Sequence, residues 1–264
     1  MGLAHWPAGE LVDIAAADPE GAAQTVRDFR EACVGVKVRE TTFIVGGNGL
    51  EPLRMAVAAA EDAGTRVMVH VYDIPSSLPE LLKLLRPGDI VTHCYTGTRN
   101  GILDDDGHLL PAVLAGRRRG VLFDVGYGSK AGFSLGVARA ALEQGFPPDT
   151  ISSDLHVESV RGTMGSLPSV LAKFLDLGLT LKDVITCATV AAARSIDREP
   201  GLGTLGVGAP ADVGCFRLRE ERHSIADDSG ATMNGRWRLE CVATVRAGVL
   251  INRDVPLLGG RTPS

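Results

Sequence analysis

The feature that most constrains this chain is a repeated exchange of short β-branched runs for Ala- and Leu-rich stretches. Runs at 33–39 (CVGVKVR), 66–71 (RVMVHV), 89–95 (DIVTHCY), 120–125 (GVLFDV) and 150–155 (TISSDL) read as strands. Between them, 51–63 stops at Gly64, 77–85 stops at Arg86-Pro87-Gly88, and 133–144 stops at Gly145, which are ordinary helix ends. Strand and helix alternating at roughly 25–35 residues per unit predict βα repeats on a parallel sheet. Two further helices are expected over 167–177 and 181–196, the second opened by Thr180 and Asp183 as a capping box.

The texture then changes. Gly201, Gly203, Gly206 and Gly208, with Pro200 and Pro210, form a turn-rich connector. Beyond it, ADVGCFRL and LECVATVRAGVLI look like strands separated by a polar loop over 220–236. A tail of about 50 residues with two or three strands cannot build its own core, so it must pack against another part of the fold. The expected division is a barrel portion at 1–200 and a smaller β portion at 201–264.

Composition narrows the function classes. At 45% hydrophobic and 22% charged over 264 residues, the chain can bury a sizeable core. A net charge of −5 argues against a nucleic-acid surface. The apolar runs are too short and too often broken to span a bilayer, and MGLAHWPAGELVD lacks the pattern of a signal peptide. Five scattered cysteines with no C-x-x-C pair suggest reduced thiols and a cytoplasmic protein. The 32 glycines and 5% aromatics suit many tight strand-to-helix turns.

Alternation along each strand divides its side chains between two faces. Val34, Val36 and Val38 oppose Lys37 and Arg39; Val67, Val69 and Val71 oppose Met68 and His70. Ile90 and Cys94 oppose Val91 and His93, and Ile151 and Leu155 oppose Ser152 and Asp154. Lys37, His70, His93 and Asp154 thus stand near the C-terminal ends of four strands, where parallel barrels place their chemistry. One strand-end histidine alone is most often a hydrogen-bonded core residue. Four such residues at matching depth are better explained as a metal constellation, since two imidazoles and a carboxylate suit Zn²⁺. The lysine fits only if its amine takes up CO₂ to become an anionic carbamate. No phosphate-binding loop or dinucleotide fingerprint competes with this reading.

These residues resemble the amidohydrolase superfamily, in particular its dihydroorotase-like and deacetylase-like members. The order Lys37, His70, His93, one strand without a ligand, then Asp154 matches that family's order. The strings VGVKVR, RPGDIVTHCY and PDTISSDLH look similar too, and GTLGVGAPADVGCF resembles the passage leading into the family's small β-domain. The resemblance implies a (β/α)₈ TIM barrel of the metal-dependent hydrolase type, incomplete with strands 4–8 present, plus C-terminal strands of a small β-sandwich. It also implies one or two divalent ions, zinc first, with a carboxylated lysine at Lys37 and metal ligands at His70, His93 and Asp154. Asp154 would act as general base and acid in hydrolysis of an amide, cyclic imide or ester bond of a small molecule. Arg39 and Tyr127 would contact that substrate.

One departure stands against the agreement. The family's H-x-H pair is absent from this sequence, so three strands, on the order of 100 residues, are expected to precede Met1. Of the other histidines, His5 and His108 fall in expected loops and His223 in the polar segment; His156, two residues past Asp154, is the one stand-in. Two readings follow. The chain is a metallohydrolase that either works with a single metal or needs a separate N-terminal half, and a homo-oligomer that completes the barrel between chains is a further expectation. Alternatively it is an inactive remnant, a weak metal binder or a subunit scaffold.

Overall fold

The computed structural model describes residues 10–128, 132–156, 165–198 and 201–253. His5 and Pro200, both singled out in the sequence, lie outside them.

Four parallel strands form one sheet in the order β1-β2-β3-β4: Gly35–Glu40, Arg66–Val71, Ile90–Thr92 and Leu122–Asp124. Helices follow as the caps dictate. α1 (Pro19–Asp28) begins with Pro19 after Asp18, whose carboxylate accepts from the Gly21 amide at 2.8 Å. α2 (Thr42–Val45) is a single turn, α3 spans Glu51–Asp62, and α4 (Leu78–Leu84) opens with a Ser77–Glu80 capping box. α5 covers Pro111–Arg118 and α6 covers Leu135–Glu143, the latter capped by Ser134. Neither α1 nor α5 stands out by composition, although Asp18-Pro19 and Pro111 mark their starts.

The outer face of the sheet is aliphatic. Val67, Val69, Val71, Val91 and Phe123 are at most 3% exposed, packed with Leu53, Leu81, Leu82 and Val113 from the covering helices. Burying such side chains stabilises by about 1.5–3 kcal/mol each. Asp89, buried before β3, accepts from the Val67 amide at 2.8 Å and from the Arg86 amide and guanidinium. It thereby ties the start of β2 to the turn before β3.

Three expectations need correction. The run at 150–155 is not a full strand. It makes two isolated parallel bridges, Asp124↔Thr150 and Tyr127↔Ser153, because the backbone leaves β4 at Gly126 with φ +48°. The single helix over 181–196 is two, α8 (Leu181–Ala188) and α9 (Val190–Ser195), broken at Thr189; α7 (Leu167–Asp176) precedes them. The polar loop over 220–236 is a long hairpin instead. β5 (Val213–Ala226) and β6 (Thr232–Arg246) pair antiparallel, and β7 (Val249–Arg253) adds a third strand. Both faces of this hairpin reach solvent over much of its length. Its polar side chains therefore pair across strands, as in Arg236–Glu220 and Arg219–Glu240, at little cost in burial. Its inner side holds Ile225 and Leu239, and β6 lies against α7, where Asp176 accepts from the Arg236 and Trp237 amides.

No helix among the described residues is long and apolar enough to cross a membrane. All five cysteines are unpaired thiols.

Candidate metal and catalytic site

Strand register decides which residues meet on the inner face. Arg39 pairs with His70, His70 with Thr92, and Thr92 with Asp124, so these four stand at one level. Lys37, Met68 and Ile90 form the level below, where they line a cavity of about 160 Å³. Thr92, not His93, is therefore the inward residue of β3. Regular alternation would turn His93 outward, with Val69 and Val91.

The strand ends before that can happen. His93 has φ +63°, a left-handed conformation that a non-glycine residue adopts rarely and at a cost of roughly 1–2 kcal/mol. This turn carries the ring back over the inner face, with its centroid 4.3 Å from that of His70 and the planes at 71°. Nδ1 lies 2.6 Å from the Gly126 carbonyl oxygen. A carbonyl only accepts, so Nδ1 carries the proton and Nε2 presents its lone pair. Nε2 is buried and has no hydrogen-bond partner.

Glycine is required at the contact. A Cβ on Gly126 would fall 2.1 Å from Thr92 Oγ1 and 3.1 Å from His93 Nδ1. Beneath the rings lies a buried carboxylate, Asp124, accepting from three hydroxyls: Thr92 at 2.7 Å, Thr150 at 2.6 Å and Ser152 at 2.8 Å. It joins β3, β4 and the 150–153 segment. Sequence reading missed it, although an acidic residue ending a core strand (LFDVG) was a usable signal.

Electrostatics keep both imidazoles neutral. Burial, then His93, Lys37 and Arg39, push His70 down to about 2. Burial also lowers His93, partly opposed by Asp154 and by the hydrogen bond to Gly126. Neutral imidazole is the form that binds a cation.

Lys37 is exposed and close enough to repel a proton from both rings. Asp154 follows the second bridge, its amide donating to the Tyr127 carbonyl at 3.1 Å. Its carboxylate is 43% exposed, stands 3.2 Å from where a Gly128 Cβ would be, and faces His156 Nδ1 at 4.0 Å. The structure thus gathers Lys37, His70, His93 and Asp154 on one side of the sheet.

The two residues assigned to substrate are placed differently. Arg39 pairs with Glu10, its Nε donating at 2.7 Å. Tyr127 is 1% exposed and stacked on Phe133, with its hydroxyl accepting from Lys173 Nζ at 2.9 Å. It faces the core, because the turn at Gly126 rotates its side chain away from the inner face.

His93 Nε2, a buried acceptor without a donor next to a neutral His70, fits a cation. Two imidazoles with carboxylate-type oxygens suit zinc. Among the described residues no three His, Cys, Asp or Glu side chains converge as a metal cluster by themselves.

A parallel βα sheet whose polar residues gather at its C-terminal edge is the layout of barrel hydrolases. The comparisons agree. A deacetylase from Enterococcus faecalis is 28% identical over 242 residues, covering 90% of this chain and 65% of that protein. The crystal structure of an adenine deaminase superposes with a TM-score of 0.88 at 28% identity, covering 92% of this chain and 67% of the other. A dihydroorotase superposes at 0.85 with 30% identity, covering 94% and 64%. No sequence-family profile matches the chain. The chain is similar over most of its length to members of the amidohydrolase superfamily, and its parallel strands are an arc of a TIM barrel with a separate antiparallel sheet. It spans just under two thirds of the length of the deacetylase it matches.

Proposed function

We propose that this chain carries the metal-binding part of a hydrolase acting on an amide, cyclic imide or ester bond of a small molecule. The observation that carries the reading is the buried, partnerless Nε2 of His93, aimed by Gly126 and set against a neutral His70. His70 and His93 would hold the ion, with Lys37 as a carbamate and Asp154 completing the donor set. A bound divalent ion supplies Lewis acidity and makes water a better nucleophile near neutral pH. Asp154, with a part-exposed carboxylate, would take the proton of the attacking water and return it to the leaving group. Arg39 would meet a substrate carboxylate only by exchanging Glu10 for it. Residues 1–200 would then form the barrel portion and 201–264 the accessory portion. Five unpaired thiols support a reducing, cytoplasmic setting.

The test is zinc content of purified chain supplied with bicarbonate, followed by an esterase and deacetylase screen. About one ion per chain, lost in His70→Ala and Lys37→Ala, supports the reading. A folded chain that takes up no zinc overturns it. Zinc bound without turnover of any amide or ester supports the second reading, a metal-binding scaffold. That reading is favoured by the absence of a third histidine or a cysteine beside His70 and His93 among the described residues.

A further inference from the structure

We infer that Lys173 and Tyr127 act as a positioning pair that sets the segment 126–128, and through it both His93 and Asp154. The inference rests on the proposed metal site.

The geometry runs through three consecutive residues. Gly126 gives its carbonyl to His93 Nδ1, Tyr127 gives its carbonyl to the Asp154 amide, and Gly128 packs on the Asp154 carboxylate. The Tyr127 amide in turn donates to the Ser152 carbonyl at 3.0 Å. A small rotation of this segment would move a ligand on each side at once. What prevents the rotation is the Tyr127 side chain, stacked on Phe133 at 4.3 Å and 28°. Lys173 from α7, 7% exposed, donates to its hydroxyl at 2.9 Å and sits 4.1 Å from its ring centroid.

An ammonium is a costly way to fill core volume. Methionine would occupy the same space without desolvating a charge, so packing alone does not explain a lysine at 173. Burial pushes its amine down to about 8, with Asp228 in the β5–β6 turn pulling the other way. What lysine adds at this contact is a directional hydrogen bond to the Tyr127 phenol. Such outer contacts to ligand-bearing segments typically change metal affinity 10–100-fold.

The experiment compares whole wild-type chain with Lys173→Met, Tyr127→Phe and the double variant. Zinc affinity is read by chelator competition, and thermal unfolding is read on the metal-free proteins. Each single change should weaken zinc binding about tenfold, and the double should be no worse than the weaker single, since both break one contact. The unfolding midpoint should move by no more than about 2 °C, the lower end of the shift that a lost kcal/mol produces in a chain of this size. Unchanged zinc affinity in both single variants overturns the inference, as do additive losses or losses that track a falling midpoint. If Lys173→Met fails to fold, Tyr127→Phe, which keeps the stacked ring, decides alone. Wild-type chain that binds no zinc sinks the proposed function and this inference with it. Wild-type binding matched by the variants sinks only the latter.

Discussion

His70 and His93 stack edge to face at 4.3 Å although they are not register partners; Thr92 stands opposite His70, and His93 reaches it through a left-handed backbone turn. The pair therefore depends on what happens just after β3 as much as on the strand. Gly126 permits the turn by leaving room for Thr92 and for the Nδ1 contact. Gly126→Ala would place a methyl 2.1 Å from Thr92 Oγ1 on a residue already at φ +48°. It should destabilise the chain by about 2–4 kcal/mol and abolish zinc binding. Urea unfolding and metal content check both; a well-folded variant with wild-type zinc would contradict the packing argument.

The sequence pattern found Lys37 and His70 on the inner face correctly, because β1 and β2 alternate without interruption. It placed His93 on the right side of the sheet for the wrong reason. Period-two counting assumed that the strand continued, whereas β3 ends at Thr92 and a positive φ re-aims the ring. Local composition carries no signal for such a turn at a histidine. Tyr127 was misassigned for a related reason, since the bend at Gly126 sends its side chain into the core. The β5–β6 hairpin was hidden by its charges. Hydrophobic alternation marks a strand only where one face is buried, and here the ordering comes from the long β5–β6 backbone ladder, the contact of β6 with α7 and a packed tip.

Asp124 should be the most sensitive polar residue beneath the site. Three hydroxyls donate to it, one from β3 and two from the 150–153 segment, and removing the carboxylate leaves all of them without their acceptor. Asp124→Ala is expected to cost about 3–5 kcal/mol, whereas Thr150→Val, which removes one donor, should cost about 1–2. Chemical denaturation of the two variants gives the ratio; equal effects would mean that the network is not centred on the carboxylate.

The hairpin offers a contrast between a surface pair and a packed cap. Glu220 and Arg236 are each more than half exposed, so Glu220→Ala should change stability by less than about 1 kcal/mol. Asp227 is buried at the tip, where it accepts from the Leu135 amide at the start of α6 and from Ser229 and Ala231 in its own turn. Asp227→Ala should cost about 2 kcal/mol or more, since it orphans donors in two elements. Thermal melts of the pair test this, and a larger loss from Glu220→Ala would reverse the ranking.

Glu40 gives the chain an unusual pH response. It ends β1 on the helix-covered face, 0% exposed, and neither carboxylate oxygen has a hydrogen-bond partner of normal geometry. Burial raises it to about 7 from 4.5, although the backbone N–H of Leu53 pulls it down. The folded chain thus holds this proton more tightly than the unfolded chain does. Its contribution is fully present below about pH 4.5 and is lost as pH rises through about 7. Glu40→Gln keeps the shape and removes the charge that must be buried at high pH. Relative to wild type it should gain stability between pH 5 and 8, on the order of 3 kcal/mol at the upper end, with little difference below pH 4.5. Urea midpoints across that range measure the difference. A difference independent of pH would show that Glu40 stays charged in the folded chain.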